Sequence, residues 1–142
     1  MNSRRIFVLS LALIFGAFHS NSAFALNAGS DPIKEIKKLN ITKDAYDSKR
    51  ADDKAILIKD EKTAKKYFDE DNLKKLMENV DFENQHVLVF AWQGSGQDKL
   101  TFEVAESYPE QISFTLTRGR TRDLRQHKRI FVIRSNVKWG TK

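Results

Sequence analysis

Beyond Asp81 the hydrophobic period of this sequence is two, and that pattern constrains the fold more than any other feature. From Val87 to Ile133 the apolar residues alternate with polar ones or run together in short blocks, which strands can bury and helices cannot. Val87-Leu88-Val89-Phe90-Ala91-Trp92 is apolar throughout and is expected to be a central strand. Leu100, Phe102 and Val104 alternate with Thr101, Glu103 and Ala105, and Ile112, Phe114 and Leu116 alternate with Ser113, Thr115 and Thr117. Joined by the turns Gln93–Asp98 and Tyr108-Pro109-Glu110, these three segments are expected to form an antiparallel meander with one buried face. Ile130-Phe131-Val132-Ile133 reads as a fourth strand that Val137 to Trp139 would extend.

Upstream the period changes. Ala55-Ile56-Leu57-Ile58 is a short apolar run flanked by charge, and reads as a buried strand. Asp60 then stands as a helix N-cap, with Glu61 in the first turn and Ala64, Tyr67 and Phe68 at helical spacing. The spacing breaks at Asp69-Glu70-Asp71-Asn72 and resumes at Leu73, Leu76, Met77 and Val80, so a second short helix is expected, capped by Asp71 or Asn72. Ile33 to Arg50 fits either a helix face or a strand. The expected fold is therefore α+β, an antiparallel sheet of about four to five strands with two short helices on one face. Residues 55–142 would form this single domain, preceded by a polar, partly ordered leader over 26–54.

Residues 1–25 have the three parts of an export signal. Arg4 and Arg5 supply the charge, Ile6 to Phe18 the apolar run, and Ser22-Ala23-Phe24-Ala25 the small residues ahead of a cut. The apolar run holds 13 residues, against the ~20 that a spanning helix needs. The expected product is a periplasmic or extracellular chain of 117 residues beginning at Leu26. It contains no Cys, which removes disulfides, thiolate metal sites and Cys nucleophiles together and leaves the core as the source of stability.

Several residues invite a catalytic reading. Gly94-Ser95-Gly96 lacks the Lys-Ser or Lys-Thr of a phosphate loop, and Gln93 and Gln97 stand where a nucleophile elbow needs glycine. A hairpin with positive φ at one glycine explains the segment more simply. Ser95, His127 and Asp123 could be drafted as a triad, but nothing local specifies it. His86 and His127 lie 41 positions apart with no Cys, so no metal-ligand spacing exists, and no cofactor is called for. Glu103 and Glu106 would fall on opposite faces of a strand, which argues against paired acid–base work.

Charge is uneven along the chain. Residues 26–117 carry a net −4 and use Lys almost exclusively, whereas Arg118 to Lys142 carries +8. Within Arg118–Arg129 six of twelve residues are basic, namely Arg118, Arg120, Arg122, Arg125, Lys128 and Arg129. Arginine makes planar bidentate contacts with carboxylate, phosphate or sulfate that lysine cannot. The segment joins two strands and is expected to protrude as a loop or long hairpin. Two readings remain open: a docking surface for an anion or acidic protein, or a solvated run neutralised by the acidic body of the same domain. Nucleic acid is disfavoured as a partner, because an exported chain meets little of it and no recognition motif is present.

The order of a helical stretch over Thr63–Val80, Asp81-Phe82, the run Val87–Phe90, a turn with Gly94 and Gly96, and strands to the end resembles the C-terminal domain of PrcB-type bacterial protease-complex subunits. The resemblance spans Ile56 to Trp139 and implies an exported module that binds a protease or another protein rather than catalysing. The chain departs from that family in lacking a Gly-Gly-Tyr turn, since Gln97-Asp98 follows Gly96, and in its Arg-rich segment. It also resembles small secreted bacterial proteins with a Trp-Gln-Gly-Ser-Gly turn, here Trp92 to Gly96. The expected function is a secreted or periplasmic non-catalytic binding module. Its basic segment would dock an acidic protein or anionic envelope polymer, and Gln93, Gly94, Ser95, Gly96 and Gln97 would form a second edge. The alternatives are a small secreted hydrolase using Ser95 and His127, and a structural accessory domain without a ligand.

Overall fold

The computed structural model describes residues 31–46 and 54–142; the expected export signal at 1–25 lies outside them. The elements in order are β1 (Ile33–Glu35), a 3-10 turn (Lys43–Tyr46), β2 (Ile56–Ile58), α1 (Glu61–Ala64), α2 (Glu70–Met77), β3 (Gln85–Ser95), β4 (Lys99–Ala105), β5 (Gln111–Thr117), β6 (Leu124–Arg134) and β7 (Lys138–Thr141). The α+β expectation holds, with the strands divided over two sheets. One has four antiparallel strands in the order β1-β6-β3-β2, and the other has the order β4-β5-β7. In the second sheet β4 and β5 are antiparallel while β7 runs parallel to β5. Among the described residues no helix is long and apolar enough to cross a membrane.

Alternation along β3 and β6 explains why the four-stranded sheet lies in the middle of three layers. Val87, Val89 and Ala91 with Ile130 and Val132 point to one face, where they bury against Ala64, Phe68, Leu76 and Val80 of the helical layer and Leu39 and Ala45 of the N-terminal arm. Leu88, Phe90 and Trp92 with Phe131 and Ile133 point to the other, where Leu100, Ile112 and Phe114 of the second sheet meet them. Being apolar on both faces, Val87–Trp92 has to be an interior strand, and it is.

The helix starts follow from side-chain acceptors. Asp60 caps α1, accepting from Thr63 N–H at 2.7 Å. The cap of α2 is Asp69 rather than Asp71 or Asn72; its carboxylate accepts from Asn72 N–H at 2.8 Å. Asn72 is unavailable as a cap because it is buried within the helix, where its amide group donates to Asp69 and accepts from Asn40 N–H at 2.9 Å. That last bond ties the N-terminal arm to α2.

Two further expectations about strand placement are corrected, and one left open is settled. Strand β3 does not pair with β4; its neighbours are β2 and β6, and the turn after β3 carries the chain across to the other sheet. The segment after Ile133 does not prolong β6; the chain turns at Ser135-Asn136 and β7 crosses to lie beside β5. Of the ambiguous stretch 33–50, Ile33–Glu35 is a strand paired with Phe131–Ile133, and Leu39 and Ala45 enter the core.

Candidate binding loop at the tip of the β3–β6 ribbon

Strands β3 and β6 pair over eleven positions, from Gln85 opposite Arg134 to Ser95 opposite Leu124. Strand β2 flanks only Val87–Val89 and β1 only Phe131–Ile133, so the far end of the pair continues as a two-stranded ribbon. The expected turn at Gln93–Asp98 is therefore shorter: Gln93, Gly94 and Ser95 belong to β3, and Gly96-Gln97-Asp98 makes the crossing to β4. Likewise the basic segment is not a loop throughout. Residues 118–123 are loop, while Arg125, Lys128 and Arg129 lie in β6, their backbones held by the ladder with β3.

The two connections at this end, 96–98 and 118–123, are tied to each other by two acids. Asp98, whose side chain is wholly shielded from solvent, accepts from Gly119 N–H at 2.7 Å, from the Arg118 guanidinium at 2.9 Å and from the Trp92 indole at 3.1 Å. Asp123 reaches the opposite way, accepting from Gly96 N–H at 3.1 Å and pairing with Arg125 at 2.6 Å. Between them the Ser95 hydroxyl meets that of Thr121 at 2.5 Å and accepts from Gln97 N–H at 3.1 Å. His127 stacks on Trp92, with ring centroids 4.9 Å apart and planes at 10°, and one ring nitrogen bonds the Ser95 carbonyl at 2.8 Å.

Close approach, not backbone conformation, explains the glycines here. No glycine among the described residues has a positive φ, so the expectation of a left-handed glycine in this turn is corrected. A Cβ on Gly94 would collide with the Asp98 carboxylate and Arg118, one on Gly96 with Asp123 and Arg125, and one on Gly119 with the Ser95 hydroxyl and the backbone of Gln97. Each glycine leaves room for the polar groups that join the two connections.

Both acids titrate below the usual carboxylate range. Burial works to raise the Asp98 carboxyl, but the bonds from Gly119 N–H, Arg118 and Trp92 outweigh it and hold it down. Asp123 is lowered to about 2, first by its bond with Thr121 and then by Gly96 N–H. A carboxylate lowered in the folded state stabilises above its unfolded pKa of about 3.9 and loses that contribution as pH falls through the folded value. The Gly96 amide resonance, which reports on Asp123, is therefore expected to stay fixed from neutral pH down to about pH 4 and to move only as pH falls toward about 2, while the Gly119 amide, which reports on Asp98, is expected to move only below the ordinary Asp range. Titration of the Gly96 amide with a midpoint at or above the ordinary Asp value would show that Asp123 does not hold it.

The six basic residues divide by their engagement. Arg118 pairs with Asp98 and Arg125 with Asp123. Arg129 pairs with Glu35, donates to the Leu100 carbonyl at 2.8 Å and lies 5.1 Å from the centre of the Phe131 ring. Lys128 bonds the Asn40 side chain. Arg120 and Arg122 are exposed, and no ion pair among the described residues engages either. Neutralisation by the chain's own acids thus applies to Arg118, Arg125 and Arg129 and leaves two guanidinium groups at the loop's crest.

The catalytic alternative finds no triad geometry. The imidazole of His127 faces the Ser95 carbonyl rather than its hydroxyl, the hydroxyl is bonded to Thr121, and Asp123 holds Gly96 and Arg125. His86 stands at the opposite end of β3, about 30 Å along the strand from Ser95. Sequence reasoning missed Asp98 as the hub of this tip, and with it Trp92, Thr121 and Glu35. The only local signal was one acid in a turn facing an Arg-rich segment. No protein-family model, no curated protein and no solved structure matches the chain.

Proposed function

We propose that this chain is an exported, non-catalytic binding module that docks an acidic protein or an anionic envelope polymer through Arg120 and Arg122. One observation carries the reading. The two exposed arginines sit on a six-residue loop whose ends are fastened, at Arg118 and Gly119 by Asp98 and at Asp123 to Gly96. A loop fixed before binding loses less entropy on meeting a partner, and guanidinium groups recognise carboxylate, phosphate and sulfate alike. Arg125, with its side chain 68% exposed beside Asp123, widens the basic surface without being needed for it. The export signal in residues 1–25 and the resemblance to PrcB-type subunits support a module outside the cytoplasm that binds rather than catalyses.

The test is retention on heparin and on immobilised polyglutamate over a salt gradient. The mature chain is expected to be held at low salt and released as salt rises, because binding to a polyanion expels its counterions. R120E/R122E is expected to pass through, since the two substitutions alter exposed side chains and leave the fold intact. A double variant retained as strongly as the parent, or a parent not retained at low salt, refutes the proposal.

A further inference from the structure

Strand β4 forms the outer edge of the second sheet, and among the described residues no strand pairs with its free side. Edges of this kind are usually blunted by charged side chains, of which β4 has Lys99 and Glu103, or by proline, a bulge or short length. Strand β4 is seven residues long, contains no proline and keeps an unbroken register with β5 from Lys99 to Ala105. Phe102 and Val104 alternate in phase with buried Leu100, and the Phe102 ring packs 5.5 Å from that of Phe131. Even so, Phe102 and Val104 remain 37% and 38% exposed.

The sequence of this edge is complementary to itself. In an antiparallel pair centred on Thr101, Lys99 of one copy stands opposite Glu103 of the other, and does so twice. Leu100 and Phe102 then pair across the inner face, covering the apolar surface that the sandwich leaves open. Both charges are available: Lys99 is exposed, and the Glu103 side chain is 83% exposed with only a 3.7 Å contact to Lys142. The Leu100 carbonyl already accepts from Arg129, which uses one of its two lone pairs and leaves the other. Moving the centre to Phe102 would place Lys99 opposite Ala105 and Thr101 opposite Glu103, and the charge match is lost. We propose that the chain forms a twofold dimer in which β4 pairs with β4 of a second copy, centred on Thr101, joining the two three-stranded sheets into one of six strands. A two-fold contact is isologous, so one self-complementary strand suffices.

The experiment uses sedimentation velocity of the mature chain over a concentration series. The parent is expected to show a reversible monomer–dimer equilibrium. K99E and E103K, each placing like charges opposite one another twice, weaken association by about ten-fold or more. The charge swap K99E/E103K restores it, which a general loss of folding or solubility would not. Because the chain has no Cys, T101C supplies a lone thiol on the dimer axis and is expected to give a covalent dimer on oxidation. A parent that stays monomeric up to millimolar concentration, a swap that fails to restore dimer, or T101C that stays uncrosslinked within a dimer overturns the pairing. None of these residues lies in the 118–123 loop, so failure here leaves the polyanion test untouched.

Discussion

Phe114→Ala is expected to lower the stability of the fold by about 3–5 kcal/mol. The Phe114 ring is fully buried between the two sheets, with its centroid 4.7 Å from Phe90, 5.2 Å from Phe131 and 6.1 Å from Phe102. Phe90 and Phe131 sit on β3 and β6, locked in an eleven-position ladder, so the space cannot close by a shift of one strand alone. A domain of this size has roughly 5–15 kcal/mol in all. No disulfide restrains the unfolded chain, so the loss falls on packing that nothing else backs up. Chemical denaturation should show a lower midpoint at unchanged slope. A loss below about 1 kcal/mol, the range of an ordinary surface change, would show that the two sheets do not meet through this ring.

Asp98→Ala should cost about 2–3 kcal/mol and uncouple the basic loop from the ribbon. The substitution leaves the Trp92 indole N–H and the Gly119 N–H without their acceptor, which is where the cost arises. Arg118 contributes less, because its side chain is 45% exposed and water can replace its partner. Asp98→Asn, which keeps one acceptor oxygen, is expected to fall between the parent and alanine. The functional consequence separates this account from one in which charge alone matters. With Arg120 and Arg122 unchanged, D98A should still elute from heparin at lower salt than the parent, because an untethered loop has more entropy to lose on binding. Elution at the parent's position would show that fastening the loop is irrelevant to binding.

What could be read from the sequence was set by near neighbours in the chain. The interior position of Val87–Trp92 followed from apolar residues on both faces, and the start of α1 from Asp60 ahead of a helical pattern. Strand partners were not legible, because period two fixes a face but not a neighbour. The short connection at 96–98 made β3 and β4 look like a hairpin, whereas β3 closes on β6 from the far side of two intervening strands. The strand character of Leu124–Arg129 was hidden for a related reason. At the ribbon tip the residues facing Gln93–Ser95 need not be apolar, and Arg125-Gln126-His127-Lys128 carries no alternation to read. The basic segment was legible as unusual, but its division into paired and unpaired arginines depends on Asp98, Asp123 and Glu35, the last of which lies more than ninety residues away in sequence.

Hydrogen exchange at the Gly119 amide tests the held loop most directly. Gly119 lies one residue from Arg120, outside any helix or strand, and its N–H donates to the Asp98 carboxylate. At neutral pH this amide should exchange far more slowly than an unstructured chain, and D98A should return it to that fast rate. A Gly119 amide that exchanges at the unstructured rate in the parent would contradict the account, since Arg120 and Arg122 would then ride on a loop that nothing holds.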